Sequence, residues 1–427
     1  MQPRPLGQTG LSISPIVFGG NVFGWTADKT ASFALLDRLL EAGLTSIDTA
    51  DRYSAWVPGH QGGESETVIG EWMAARGTRQ RMQIITKVGM EVPGNPAPHQ
   101  GLSAGYIAQA VEASLKRLRT DHIDVYLSHR FDDSVPQAET LGAYDPLIRA
   151  GKVRAVGASN FTATQLQEAL ALARTDTLPR YAVLQPEYSL MERTSFEGPL
   201  RDLALAENLA VITYYSLASG FLTGKYRGEA DLGQSPRGAA VKKYLDPRGL
   251  RVLAALDEVA GRHPGAQLGE VALAWLMARP GVTAPIASAT SVAQVDSLVR
   301  ATQLKLTAED MAQLNEASAP ASAEGARGPY DGPVSTATIT TVEPARIILR
   351  LCKHWGHKWP VRYDEHQGQV DLSSGRVLMT AGEGELRVRL EGVAGADMPR
   401  LEEVVAEHAQ RMARDETFQW DWARQGG

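Results

Sequence analysis

The chain has 427 residues, 43% of them hydrophobic and 22% charged, with a formal net charge of −6. This is a globular composition, which excludes a fibrous or disordered class, and the acidic balance argues against nucleic acid or an anionic membrane as the main partner. Cys352 is the one cysteine, so no internal disulfide framework exists; with no apolar leader after Met1 and no apolar run of spanning length, a cytoplasmic location is expected.

Residues 4–18 alternate apolar and polar around Thr9-Gly10, predicting a hairpin that leads into a strand at 16–18. Gly19-Gly20-Asn21 ends that strand, and glycines there let a ligand approach the backbone. Phe33, Leu36, Leu39 and Leu40 share one face of a helix predicted over 30–42. Short apolar strands then recur near 45–48, 83–87, 123–128, 153–157, 182–185, 210–214 and 283–287. Helical stretches separate them, among them 64–76, 103–118, 162–173 and 194–207. Apolar strands alternating with amphipathic helices predict an α/β fold with a parallel sheet covered by helices. Eight such units favour a closed (β/α)8 TIM barrel over 1–318, and the lack of Gly-x-Gly-x-x-Gly after the first strand lowers the Rossmann alternative. Two loops exceed what a bare barrel needs, 54–63 and 220–248, and long loops are usually functional or mobile. Trp56, on the first, either lines a substrate pocket or packs the loop down.

A last barrel helix is predicted near 308–317. The small, Pro/Gly-rich stretch 319–334 then reads as a linker, and 335–427 as a second, smaller α+β domain. Within it the pattern predicts strands at 336–341, 361–364, 369–371, 377–381 and 385–390, with helices at 344–355 and 399–413. The end is aromatic, with Phe418, Trp420 and Trp422.

The polar residues at successive barrel strand ends form an ordered set. Asp48 with Tyr53 follows the second strand, Lys87 the third and His129 the fourth; Ser159-Asn160, Gln185 and Tyr214 follow the next three. That order resembles the aldo-keto reductase family from the hairpin to the last barrel helix. The resemblance implies reduction of a small-molecule aldehyde or ketone by a nicotinamide cofactor, without metal. Tyr53 would be the general acid. A phenol near its usual pKa of about 10 is a sluggish acid at neutral pH, so Lys87 is expected to lower it, with Asp48 keeping Lys87 charged and oriented. His129 would donate a hydrogen bond to the carbonyl oxygen.

The same resemblance implies that Ser159, Asn160 and Gln185 grip the nicotinamide carboxamide while Tyr214 stacks on its ring. Gly20 and Asn21 would lie under the cofactor, and Leu217 and Ser219 would meet its pyrophosphate through backbone amides, with Lys225 nearby. The pattern departs from the family after the eighth strand. Ser288 and Thr290 occupy positions where many members carry Lys or Arg, Gln294 lies further on, and Leu298 stands where Asn is common. NADP(H) is therefore expected first, with NAD(H) open.

Residues 335–424 resemble a small bacterial domain of uncharacterised function. Cys352, His354 and His357 suggest a metal site, but a fourth ligand at standard spacing is missing, so packing is the expected role. Trp355, Trp359, Trp420 and Trp422 are expected in its core. Two other functions fit the residues less well: a nicotinamide-binding sensor with slow turnover, and an aldolase using Lys87 as a Schiff base. Substrate selection is expected from the loops 54–63, 131–136 and 220–248, and no oligomeric state is implied.

Overall fold

The computed structural model describes residues 2–95, 100–235, 237–320, 330, 332–356, 359–364, 366–393, 395–413 and 416–425. The chain divides into two compact units, Met1–Pro320 and Ala321–Gly427. Most of the stretch expected as a linker lies outside the described residues.

In the first unit eight strands close into a parallel barrel: β1 (Val17–Gly19), β2 (Ser46–Asp48), β3 (Gln83–Val88), β4 (Ile123–Ser128), β5 (Val153–Ser159), β6 (Val183–Gln185), β7 (Ala210–Thr213) and β8 (Ala284–Ala287). Each pairs with the next, and β8 returns to β1 through Ile286 opposite Val17. An antiparallel hairpin, Arg4–Pro5 with Ser12–Ile13, precedes the barrel; Leu6 and Ile13 join its inner core.

Strand periodicity explains the two apolar layers. Successive side chains point to opposite faces. Ile85, Val125, Leu127, Val183 and Ile212 therefore fill the barrel, while Ile47, Ile84, Tyr126, Leu184 and Val211 pack outward on the helices.

The helices begin and end where local chemistry dictates. Asp28 accepts a hydrogen bond from Ala31 N to start Lys29–Ala42, and Gly43 ends it with φ 75°. The helix predicted over 194–207 forms only at Pro199–Ala206. Gly198, with φ 93°, turns the chain immediately before Pro199, whose ring suits a first turn. The loop expected over 220–248 is partly helical, with short turns at Glu229–Gln234 and Gly238–Val241. It ends inside the helix Pro247–Arg262, where Arg248 is tied to the Met191 and Ser318 carbonyls at 2.8 Å each.

The second unit is a six-stranded antiparallel sheet: β9 (Val334–Thr340), β10 (Val361–Tyr363), β11 (Gln367–Asp371), β12 (Gly375–Gly382), β13 (Glu385–Gly392) and β14 (Ala423–Gln425). Its order is β10-β11-β12-β13-β9-β14. Alternation along β13 buries Leu386, Val388 and Leu390 against Ile347, Ile348, Leu351 and Val405 of the helices Pro344–Trp355 and Met398–Met412. Trp355 is buried; Trp359, Trp420 and Trp422 are partly buried against the same core, the last two stacked at 5.1 Å. Cys352 is buried, whereas His354 is exposed with its ring 5.4 Å from that of His408; His357 lies outside the described residues. Among the described residues, no group of three or more candidate ligands is placed to hold a metal, and no helix is long and apolar enough to cross a membrane.

Candidate active site

The polar residues at the barrel mouth continue its inward-facing rows. Asp48 lies two positions after inward Ser46 on β2, Lys87 two after Ile85 on β3, and His129 two after Leu127 beyond β4. Ser159, Gln185, Tyr214 and Ser288 stand in the same relation to Gly157, Val183, Ile212 and Ile286. One alternation thus changes from apolar packing to a polar layer in a single step.

Lys87 is fully buried. Its Nζ donates to Asp48 Oδ1 at 2.5 Å and to the Thr49 carbonyl at 2.7 Å, and lies 3.3 Å from Tyr53 Oη. Gln185 Nε2 donates to the other Asp48 oxygen at 2.7 Å. Burial alone would lower Lys87, but Asp48 and Tyr53 outweigh it and hold the ammonium above its ordinary pKa. Burial pushes Asp48 up, opposed by Lys87 and the Gln185 amide. An ammonium with a carboxylate at this distance stays charged.

The expectation that Lys87 brings Tyr53 below the usual phenol value needs correction. Burial of the hydroxyl raises Tyr53, and Lys87 offsets only part of that rise. Lys87 still favours the phenolate, but from a higher starting point.

His129 stands across from Tyr53, ring centroids 6.1 Å apart. It is 8% exposed, and burial, then Lys87, Arg52 and Arg130, drive its pKa well below 6.5. A neutral imidazole results. Its Nδ1 is buried without a partner. Trp56, 42% exposed, meets Tyr53 edge-on at 5.6 Å and Trp25 at 5.6 Å.

The residues expected to hold a cofactor form one connected rim on β5 to β8 and β1. Ser159 Oγ donates to the Gln185 carbonyl at 2.9 Å. Asn160, in the left-handed region at φ 58°, donates to the His129 carbonyl at 2.8 Å and to Ser159 Oγ at 3.1 Å, and accepts from Tyr214 Oη at 2.6 Å. Tyr214 is therefore anchored by its hydroxyl, and Tyr215 beside it is 55% exposed. After β7, Ala218, Ser219 and Gly220 take successive left-handed conformations immediately past Leu217. Within this bend Ala218 N donates to the Tyr215 carbonyl at 2.7 Å and Gly220 N to the Leu217 carbonyl at 2.9 Å. Lys225 is exposed, and its Nζ would lie 3.7 Å from a Cβ on Gly220.

Past the end of β1, Gly20 is so close to the Asp48 carbonyl and Ser65 Oγ that an added Cβ would meet both at 3.1 Å. Asn21 donates to Ser288 Oγ at 2.7 Å. Thr290 and Gln294 engage each other, Gln294 Oε1 accepting from Thr290 N at 2.7 Å at the start of the helix Val292–Ala301.

Sequence reasoning missed Arg237 in the long loop. Its Nη2 donates to the Asn21 amide oxygen at 3.1 Å, and its guanidinium lies 5.1 Å from the Trp25 ring centre. Burial lowers its pKa, and it makes no ion pair among the described residues. More than 200 positions separate Arg237 from Asn21 in the sequence, so local patterning carries no signal for this pairing. Glycines set close to the strand ends, a left-handed bend, amide donors and a guanidinium with no ion pair among the described residues together suit a planar amide joined to phosphates.

Both units match known protein families. Residues 15–319 match the Aldo/keto reductase family, and residues 336–423 match an uncharacterized protein family conserved in bacteria (DUF2218). Among curated relatives, "Uncharacterized oxidoreductase YrpG" of Bacillus subtilis (strain 168) is 33% identical over 321 residues, covering 74% of this chain and 95% of its own. "Protein tas" of Escherichia coli (strain K12) is 31% identical over 340 residues, covering 74% and 96%. The C-terminal unit is similar to an "Uncharacterized 11.2 kDa protein in crtE 3'region" of Pseudescherichia vulneris, 61% identical over 93 residues, or 22% of this chain and 90% of that protein.

Proposed function

The chain belongs to the aldo/keto reductase family through its barrel, and from that premise we propose that it reduces an aldehyde or ketone to the alcohol with NADPH, with NADH as a possible second donor. The observation that carries this reading is the Tyr53 hydroxyl, 3.3 Å from an ammonium whose charge Asp48 holds in place.

The nicotinamide cofactor would supply the hydride, which no side chain can provide. Tyr53 Oη gives its proton to the oxygen of the carbonyl as negative charge develops there. Lys87 stabilises the phenolate left behind, offsetting part of the burial that opposes it. His129, neutral and across the mouth from Tyr53, donates a hydrogen bond to the same oxygen and orients it. Asp48 binds no substrate; it fixes the Lys87 charge and position. Ser159, Asn160 and Gln185 hold the carboxamide, exchanging some of the bonds they now make with one another. Leu217 and Ser219 hold the diphosphate with Arg237, a cation that compensates in part for Ser288 and Thr290 at the positions that are often basic.

An aldolase mechanism through Lys87 is disfavoured, because a Schiff base needs the neutral amine and Asp48 stabilises the ammonium. Single-turnover oxidation of bound NADPH against a panel of aldehydes tests the reading. Turnover by the wild type and its loss in Tyr53→Phe are expected; complete inertness of the wild type would favour a sensor.

A further inference from the structure

Arg52, on the turn between Asp51 and Tyr53, carries a charge that no carboxylate among the described residues neutralises. Its Nε is shut away from solvent and meets no acceptor. Its polar contact is an approach of Nη1 to the Met90 sulfur at 3.5 Å, and a thioether is a weak acceptor. A guanidinium cannot shed its proton to escape this position. Among the described residues Arg52 makes no ion pair.

Among the described residues none of the neighbouring carboxylates forms an ion pair with Arg52, and both buried oxygens of Asp51 lack a hydrogen-bond partner. Asp48 is bound by Lys87 and Gln185. Asp51 is fully buried, and the charged side chains that act on it most are Glu66 and Arg117. Asp132 accepts from Leu102 N at 2.9 Å and from Ser134 Oγ at 2.6 Å.

Met90 lies two residues past the end of β3, where the Val88 carbonyl accepts from His129 N at 2.8 Å, so the contact with Met90 sets the Arg52 guanidinium on the His129 side of the mouth. Its charge is among those that act on His129. Arg130, exposed and adjacent to His129, adds a second positive charge there. A planar guanidinium fork matches a carboxylate in two parallel hydrogen bonds.

We propose that Arg52 binds a carboxylate on the carbonyl substrate, so that the barrel prefers oxo acids over neutral aldehydes and ketones. This rests on the reductase reading and names the substrate class of the same site. Arg52 would be a specificity residue, with Arg130 contributing attraction at the rim.

The test compares kcat/KM of the NADPH-loaded full chain for 4-formylbenzoate against 4-formylbenzamide, and for 5-oxopentanoate against 5-oxopentanamide. In the wild type the acid should exceed the amide by about tenfold or more in at least one pair, chiefly through KM, as expected when a charge-assisted contact selects the ligand. Arg52→Gln should bring that ratio close to unity, while Arg52→Lys should retain part of it. A loss of fold would not selectively move the acid-to-amide ratio. Equal rates on both members of each pair, or a ratio unchanged in Arg52→Gln, overturn the proposal and leave the reductase reading standing. If no aldehyde is turned over, the reductase reading fails instead. Calorimetric binding of benzoate against benzamide to the NADP+-loaded protein then decides the anion site: preferential benzoate binding that Arg52→Gln abolishes upholds it, and equal or absent binding overturns it.

Discussion

Lys87 Nζ and Asp48 Oδ1 lie 2.5 Å apart, with 0% of the lysine and 4% of the aspartate side chain exposed to solvent. Such a pair carries a large desolvation cost, which its Coulombic attraction and neighbouring hydrogen bonds must offset. The Thr49 carbonyl and the Gln185 amide supply those further bonds.

Removing one member should therefore be worse than removing both. Lys87→Met leaves an uncompensated buried carboxylate, and about 3–5 kcal/mol of stability should be lost in chemical denaturation. Combining it with Asp48→Asn should recover a substantial part of that loss without restoring turnover. Equal stability of the single and double variants would contradict the pairing described.

Tyr53→Phe removes the proposed proton donor while keeping the ring against Trp56 and His129. Turnover should drop by about 10²–10⁴-fold, the usual contribution of a positioned acid. NADPH titration by fluorescence should give wild-type affinity. Reduction at near wild-type rate would rule out the assigned role.

His129 is held well below its ordinary pKa by burial and then by Lys87, Arg52 and Arg130. The unfolded chain takes up a proton near pH 6.5, whereas the folded chain resists it. Stability contributed by this group is thus complete above about pH 6.5 and is lost as pH falls toward the depressed folded value. His129→Gln should remove that component of the slope when denaturation midpoints are compared between pH 5 and 8. A wild-type and variant difference that is constant over this range would show that the imidazole titrates normally.

Cofactor choice should respond differently at two positions. Arg237→Gln, if the guanidinium meets the diphosphate common to both cofactors, should weaken NADPH and NADH by similar factors. Thr290→Arg adds a charge near the expected 2′-phosphate and should favour NADPH by about tenfold, or about 1.4 kcal/mol. Dissociation constants for both cofactors with both variants check this. A selective loss of NADPH in Arg237→Gln would move that residue to the 2′-phosphate.

Cys352 offers a test in the second unit. Burial pushes its thiol up to about 11, so little thiolate exists at neutral pH. A disulfide reagent should modify it slowly in the folded chain and promptly in denaturant. Rapid labelling under native conditions would place the thiol at the surface.

Much of the site was legible because strand alternation links chemistry to packing. Once Ile85 and Leu127 are assigned to the barrel interior, Lys87 and His129 must follow on the same rows. Residues brought in by long loops have no such register. Arg237 meets Asn21 through the path of a loop with no repeating pattern, and the balance of burial against Lys87 at Tyr53 depends on atomic surroundings. Helix ends were legible where a cap was present, as at Asp28, and overrun where Gly198 and Pro199 reset the chain. The three residues of β14 are too few to show a period of two, so the strand emerged only from its pairing with β9.

That pairing sets β9, where the chain enters the second sheet, beside β14, where it leaves, with Ser335 opposite Arg424. Entry and exit therefore share one margin of the sheet, and an attached polypeptide need not thread through it. A unit closed in this way carries its own core and can be joined to another protein without altering any internal strand contact. Its similarity to an 11.2 kDa protein that stands alone in Pseudescherichia vulneris accords with such portability.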